Sequence, residues 1–196
     1  MTTRVVPRLR DLTSADQVRI LEITAATGVF REEELQIAAE VFGDAVGAAE
    51  AAAATGDSPS AQMPAGSTRP PAAPAASAAS APQPSLPYYL LGAELDGRLV
   101  GWICWGATPC TEGTWDLYWL AVDPATHGQG VGSVLVEEME SRLRGKARLI
   151  AVDTSGRADY APTRRFYQAR GYKAAAVVPD FYAPGDDQVI FTKALS

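Results

Sequence analysis

The chain has 196 residues, of which 47% are hydrophobic and 20% are charged, and its net charge at pH 7 is −6. This composition is typical of a water-soluble globular domain with a sizeable core, and an acidic chain lacks the basic surface that nucleic-acid binders need. Two cysteines, Cys104 and Cys110, are too few for a disulfide scaffold. Because the sequence shows neither a signal peptide nor an apolar run of membrane-spanning length, we expect a cytoplasmic protein with no nucleic-acid or membrane partner.

Residues 48–87 differ in composition from the rest of the chain. They are rich in Ala, Pro and Ser, and large apolar side chains are nearly absent after Gly56. Such a segment buries too little apolar surface to offset the entropy of ordering it, and its prolines interrupt a helix. We therefore predict a single domain over residues 1–196 with a disordered insert at about 48–87, whose alanine run at 48–54 is able to extend the preceding helix.

Ahead of the insert, the sequence predicts one short strand and two helices. Residues 4–9 alternate in hydrophobicity as a strand does. Thr13 or Ser14 can cap a first helix that ends at Gly28. A second amphipathic helix is predicted over residues 32–42.

Beyond the insert, the pattern predicts six strands and two helices. Asp96-Gly97 between two alternating runs is a strong hairpin signal. One helix is predicted over residues 130–144, and another opens at Pro162 and is closed by Gly171. The predicted strands are residues 88–95, 99–107, 114–122, 148–153, 173–178 and 188–195, with a loop at 179–187. This order predicts an α/β fold of the mixed α+β kind, with helices packed on the faces of a sheet.

A glycine-rich turn follows the strand that ends at Val122. It reads Gly128-Gln129-Gly130-Val131-Gly132 and lies where the next helix begins. Main-chain N–H groups at a helix start are unobstructed beside glycines, and the helix dipole adds partial positive charge there. Phosphate oxygens are the expected ligands. The plainer alternative is a connection without a ligand, which we disfavour because glycine loses much conformational entropy on folding.

Two other phosphate-binding motifs match this turn less well. A P-loop requires Gly-Lys followed by Ser or Thr, which the turn lacks. A dinucleotide-binding fingerprint fits loosely, with Ser133 in place of the third glycine and Asp153 20 residues beyond it. However, residues 123–127 separate the first glycine from its strand, and only one βαβ-like unit is visible. A dinucleotide-binding oxidoreductase is therefore the weakest of the alternatives.

The run LYWLAVDPATHGQGVGSVLVEEME, followed by RRFYQARGYK, resembles the GNAT superfamily of acetyltransferases. The resemblance covers residues 88–196 well and residues 4–42 more loosely. It implies a six- to seven-stranded, mostly antiparallel sheet with helices on both faces, with acetyl-CoA as co-substrate and no metal. The implied acetyl-CoA-binding residues are Leu120, Ala121, Val122, His127, Gly128, Gln129, Gly130, Val131, Gly132 and Ser133. Relatives usually have Arg or Gln at the position of His127, and a neutral histidine attracts phosphate less.

The same resemblance implies direct transfer of an acetyl group to a primary amine while both substrates are bound. The main-chain N–H groups of Leu120 and Val122 would stabilise the oxyanion, and Tyr167 would donate a proton to the CoA sulfur. Asp116 would be the general base, although an aspartate with its ordinary pKa of ~3.9 needs burial or a water relay for this task. An ion-paired or solvent-facing Asp116 is an equally good interpretation.

The acceptor is expected to be an amine of a small molecule or a peptide. The implied acceptor-site residues are Phe30, Tyr160, Tyr182 and Asp186. Asp186 and Asp187 in the acidic loop would attract a cationic amine. The tryptophans Trp102, Trp105, Trp115 and Trp119 are expected in the core instead. A non-catalytic acyl-CoA sensor is the main alternative function, and the resemblance leaves a homodimer open.

Overall fold

The computed structural model describes residues 6–55 and 88–195, and the side chains of residues 52–55 are outside the description. The predicted disordered insert therefore lies almost wholly outside the described residues. The helices are α1 (Gln17–Ala26), α2 (Glu32–Thr55), α3 (Val131–Leu143) and α4 (Ala161–Gln168). The strands are β1 (Arg8–Arg10), β2 (Tyr89–Leu95), β3 (Arg98–Ala107), β4 (Thr114–Val122), β5 (Leu149–Ser155), β6 (Lys173–Ala183) and β7 (Asp186–Ala194). No helix in these two ranges is long and apolar enough to cross a membrane.

A seven-stranded sheet organises the fold in the order β1-β2-β3-β4-β5-β7-β6. Every neighbouring pair is antiparallel except β4 and β5, which are parallel and connected through α3. Between β2 and β3, Asp96 and Gly97 adopt φ values of 50° and 76°, the left-handed pair that a tight two-residue hairpin requires. The predicted hairpin and the predicted mixed sheet are both confirmed.

Helices cover both faces of the sheet, as expected. On one face α3 packs Val131, Leu135 and Met139 against strand residues that include Ile103. On the other face α1 and α2 pack against β3, and the indole N–H of Trp102 donates to Thr24 Oγ1 at 3.0 Å. This bond satisfies a buried polar group and links α1 to the sheet.

Three predicted segments differ from the structure. The second helix, predicted over residues 32–42, extends to Thr55, so residues 48–55 of the predicted insert are helical and the alanine run at 48–54 does extend the helix. The expected loop at 179–187 is wrong, because β6 continues to Ala183 and β7 begins at Asp186, so that only Pro184 and Gly185 form the turn. The irregular residues are absorbed by a shift of register between Val178 and Ala183, where Asp180 has φ 52°. The described part of β1 also lies later than expected, at Arg8–Arg10.

The core on the α3 face gives a test of the fold. Leu135 is fully buried, and truncating it in Leu135→Ala should lower the free energy of unfolding by roughly 2–5 kcal/mol, since the methyl groups are lost and a cavity is left. Val18 is 70% exposed, so Val18→Ala should change stability by less than about 0.5 kcal/mol. Urea denaturation of both variants measures the difference, and equal losses would contradict this packing.

Candidate active site

The site begins where β4 and β5 separate. The two strands pair in parallel over four residue pairs, from Thr114 with Leu149 to Leu117 with Val152. Beyond this point β4 continues alongside β3, and the end of β5 continues alongside β7. A wedge therefore opens in the middle of the sheet.

The main chain of β4 directs N–H groups into this wedge. Asp123 N donates to Val100 O of β3 at 2.8 Å. Because successive N–H groups of a strand point to opposite sides, those of Leu120 and Val122 point away from β3 and towards the wedge. Tyr118 has no partner on β3, since the register shifts between Cys104 and Trp105, and such a bulge bends the strand.

The glycine turn forms the start of α3 at the mouth of the wedge. Gly128 and Gly130 have φ values of 79° and 85°, and Gly130 is the N-cap of α3. N–H groups in the first turn of a helix have no intrahelical acceptors. Gln129 differs from its neighbours, because its N–H already donates to Thr126 O at 3.2 Å. The main-chain donors available to a ligand are therefore those that follow Gln129.

A cleft of about 640 Å³ lies over this turn, and we call it the outer cleft. It is lined by Thr27, Val29, Phe30, Leu120, Val122, Thr126, His127, Gly128, Gly130, Val131, Gly132, Ser133, Asp159, Tyr160, Pro162, Thr163, Phe166, Tyr167 and Arg170. Eight of the ten residues implied for acetyl-CoA binding are in this lining. The other two are not: Ala121 is 1% exposed in the core beneath α1 and α2, and Gln129 faces solvent.

A second cavity of about 200 Å³, the inner cavity, lies between the separated strands. Its lining comprises Phe30, Arg31, Glu34, Leu117, Tyr118, Trp119, Leu120, Val152, Asp153, Thr154, Ser155, Arg157, Tyr160, Thr163, Tyr167, Tyr182 and Asp186. The residues shared with the outer cleft are Phe30, Leu120, Tyr160, Thr163 and Tyr167. The two spaces therefore meet where the N–H of Leu120 points.

Tyr167 lies at this junction. The residue is 3% exposed and its ring contacts Phe166, Tyr172 and Phe191 with centroid separations of 5.2, 5.5 and 6.3 Å. Burial raises the pKa of its phenol above the ordinary value of ~10. The hydroxyl therefore stays protonated at neutral pH and has a proton to donate.

Asp116, the predicted base, lines neither space. It lies in the paired part of β4, opposite Gly106 and Ala151, and its Oδ2 accepts from Thr108 Oγ1 at 2.7 Å. Asp153 on β5 lies in the inner cavity instead. Asp153 is exposed as a residue, but partial loss of water around its carboxylate raises its pKa, the charge of Asp116 raises it further, and a 2.8 Å hydrogen bond from Gln188 Nε2 opposes the rise. Within the described ranges, Asp153 makes no ion pair.

Asp186 lines the inner cavity but is not free to attract a cation. It is 4% exposed, its Oδ1 accepts from Ser155 Oγ, and its Oδ2 pairs with Arg31 at 2.9 Å and with Arg157 at 3.6 Å. These contacts therefore do not support the hypothesis that Asp186 attracts a cationic amine. Asp187 accepts instead from the main-chain N–H of Asp180 within the hairpin at 3.0 Å.

The predicted aromatic walls lie together at the two spaces. Phe30 and Tyr160 line both, and Tyr182 lines the inner cavity. Burial raises the pKa of Tyr160 to about 12, so this phenol is also neutral. Trp102 and Trp105 are in the core as expected, whereas Trp119 lines the inner cavity and packs against Phe30 with ring centroids 5.1 Å apart.

Several lining residues were not predicted from the sequence. Asp153 carried a usable signal, since a carboxylate ends a predicted strand of the sheet. The sequence carries no such signal for four charged lining residues, because charged residues at such positions are ordinarily solvated. These are Arg31, Glu34, Arg157 and Arg170. Only the tertiary packing brings them to the site.

Comparison with known proteins agrees with this geometry. Residues 52–172 match the description "Acetyltransferase (GNAT) family". A GNAT-family protein from Desulfovibrio desulfuricans superposes with a TM-score of 0.74 at 30% identity, over 97% of this chain and 100% of that one. An N-acetyltransferase of Methanocaldococcus jannaschii, itself uncharacterised, is 31% identical over 52% of this chain. A blasticidin-S acetyltransferase of Streptomyces morookaense is 36% identical over 52% of this chain. These two alignments span 63% and 68% of the relatives' own lengths.

Gly128 allows a test of the turn as a binding element. Gly128 and Gly145 both have positive φ, 79° and 73°, and an added Cβ would meet nothing within 4 Å at either position. Gly128→Ala and Gly145→Ala should therefore each destabilise the fold by about 1 kcal/mol through backbone strain. We expect only Gly128→Ala to weaken coenzyme A binding, by about threefold to tenfold, because relief of the strain moves the donors of the turn.

Isothermal titration calorimetry with coenzyme A and thermal unfolding measure the two effects. Equal affinities for the two variants would show that the conformation of this turn has no part in binding.

Proposed function

The chain belongs to the acetyltransferase (GNAT) family, and from this premise we propose that it transfers the acetyl group of acetyl-CoA directly to a primary amine of a small molecule. The family and the enzyme class, an acetyl-CoA-dependent N-acetyltransferase, are those that the sequence predicted. The observation that carries the direct-transfer mechanism is the junction of the outer cleft with the inner cavity at Leu120 and Tyr167. A donor in one space and an acceptor in the other would meet there.

The residues at the mouth of the outer cleft fit a diphosphate. Gly128 and Gly130 leave the main chain of the turn without side chains, and Gly132 lets the start of α3 approach the ring of Phe166, where a Cβ would lie 3.3 Å from the ring. Acetyl-CoA, when bound, supplies an activated thioester. The N–H groups of Val131, Gly132 and Ser133 at the start of α3 would hold its diphosphate.

Main-chain donors would also act at the reacting carbonyl. The N–H groups of Leu120 and Val122 are fixed by the pairing of β4 with β3. They therefore need no reorganisation to stabilise negative charge that develops on a carbonyl oxygen, and preorganised donors of this kind often provide the largest single contribution to catalysis.

Asp153 is the proton acceptor in this proposal, in place of Asp116. It lines the inner cavity and its raised pKa makes it a stronger base than an ordinary aspartate. Without an ion-pair partner among the described residues, its carboxylate is available to an ammonium or to a bridging water. Asp116 affects Asp153 through its charge.

Tyr167 is the proton donor. Its buried phenol stays protonated, and its position at the junction suits donation to the sulfur that leaves. Neither cysteine supports a covalent relay: Cys104 is buried in the core under α1 and α2, burial raises its pKa to about 12, and Cys110 lines neither space.

The inner cavity suits a small acceptor. Its volume of about 200 Å³ has room for a compact organic amine but not for the surface of a folded protein. Phe30, Trp119 and Tyr182 offer aromatic surface to the carbon skeleton or the ammonium of the acceptor. A relative is named for blasticidin-S, which agrees with a small-molecule acceptor.

We expect acetyl-CoA-dependent release of free thiol with members of a panel of small primary amines. Tyr167→Phe should lower kcat by at least about tenfold, because the proton for the leaving thiolate is lost. Tyr172→Phe is the matched control, since Tyr172 packs against Tyr167 but lines neither space. Binding of NAD without binding of acetyl-CoA in calorimetry would refute the proposed function, and unchanged turnover in Tyr167→Phe would remove this residue from the mechanism.

Asp153 and Asp116 are distinguished by the pH dependence of kcat at saturating amine. Activity should fall as the pH drops through the raised pKa of Asp153, since the base is then protonated. Asp153→Asn should lower kcat by about a hundredfold and abolish this acidic limb. Asp116→Asn should keep the limb and shift it to lower pH, because one neighbouring negative charge is gone. If Asp116→Asn abolished the acidic limb and Asp153→Asn only shifted it, Asp116 would be the base.

A further inference from the structure

Arg170 is a charged residue of the outer cleft that the mechanism above does not use. It follows α4, and its guanidinium lies over the ring of Phe166 with Cζ 3.4 Å from the ring centroid. One terminal nitrogen donates to Phe166 O at 2.8 Å and the other donates to Ser133 Oγ. The guanidinium is therefore fixed against the start of α3, because Ser133 is the third residue of that helix.

This cation lacks a counterion. In residues 6–55 and 88–195, no carboxylate forms an ion pair with Arg170, and its buried Nε has no hydrogen-bond acceptor. The carboxylates of Glu137 and Glu140 on α3 act on this charge through space, Glu137 more strongly, but neither forms an ion pair with it, and Glu140 is bound by Lys193 at 2.7 Å. Burial lowers the pKa of Arg170, which reflects the free energy needed to remove a charge from water. An anion bound beside the guanidinium would offset that free energy.

The surroundings show which anion fits. A Cβ at Gly132 would lie 3.3 Å from the ring of Phe166, and the guanidinium of Arg170 lies over the same ring. Arg170 and the first-turn N–H groups of α3 therefore line the same end of the outer cleft. Arginine forms bidentate hydrogen bonds with phosphate, and the partial positive charge of the helix start acts in the same direction.

We infer that Arg170 binds the pyrophosphate of coenzyme A and supplies a permanent positive charge beside the glycine turn. This inference rests on the proposed function, because it concerns the same ligand. His127 lines the same cleft but is exposed, so a fixed cation on α4 takes over the attraction that an arginine at the turn would provide.

The direct test is calorimetry on Arg170→Gln with two probes, coenzyme A and dephospho-coenzyme A, which lacks the 3′-phosphate. We expect both affinities to fall by the same factor, about tenfold, because both probes carry the pyrophosphate. The dependence of the dissociation constant on salt should also become shallower, since one charge contact is removed. Arg165→Gln removes the same charge from an exposed position of α4 outside both spaces and should change neither quantity.

A rescue variant separates binding from folding. His127→Arg in the Arg170→Gln background should restore most of the lost affinity, whereas a fold damaged by the loss of Arg170 would not recover. A loss confined to coenzyme A would assign Arg170 to the 3′-phosphate and overturn the inference, as would unchanged affinity for both probes. If the wild-type chain itself does not bind coenzyme A, the proposed function fails first.

Discussion

The separation of β4 from β5 is the constraint on which the rest of the site depends. The two strands are parallel neighbours for only four residue pairs, and each then keeps a different partner, β3 or β7. In a continuous sheet, the N–H groups of Leu120 and Val122 would be bonded to β5. Here they point into a wedge, which has the glycine turn at one end and a small cavity at the other. The interrupted pairing of β4 with β5 thus produces both the unpaired main-chain N–H groups and the space in front of them.

Two aspartates that line the inner cavity, Asp186 and Asp153, differ in how their negative charge is neutralised. Asp186 is the most buried of them and is neutralised by Arg31 and Arg157, with Ser155 donating to its other oxygen. A buried carboxylate held in this way is structural, because breaking its pairs would leave an uncompensated charge. Among the described residues, Asp153 receives a single side-chain hydrogen bond, from the amide of Gln188. Partial desolvation without a counterion among the described residues is the reason that we propose Asp153 as the proton acceptor, whereas the buried and paired Asp186 is structural.

The sequence predicted those features that are set locally. Asp96-Gly97 and the glycines of the turn carry their conformations in their own φ preferences, so the hairpin and the helix start were accessible. Strand alternation indicates which face of β4 carries Asp116 but not the point at which the sheet opens, so the sequence did not indicate that Asp116 lies outside the inner cavity and Asp153 within it. The 179–187 segment has the composition of a loop, yet only Pro184-Gly185 turns, because pairing with β7 outweighs local propensity. The position of Arg170 in the outer cleft depends wholly on tertiary packing, so the sequence did not predict it.

Burial acts on the two proposed proton-transfer groups in the same direction, and their chemistry makes the outcomes opposite. Removing water raises the pKa of both Asp153 and Tyr167, because it disfavours the anionic form of each. The carboxyl group starts from ~3.9 and moves towards neutrality, so it becomes a better proton acceptor at physiological pH. The phenol starts from ~10 and moves further from neutrality, so it is held as a donor. Arg170 completes the pattern, since burial destabilises its cation and leaves the outer cleft ready for an anion. In the proposed mechanism, loss of water therefore acts on the proton acceptor in the inner cavity, on the proton donor at the junction and on the cation in the outer cleft.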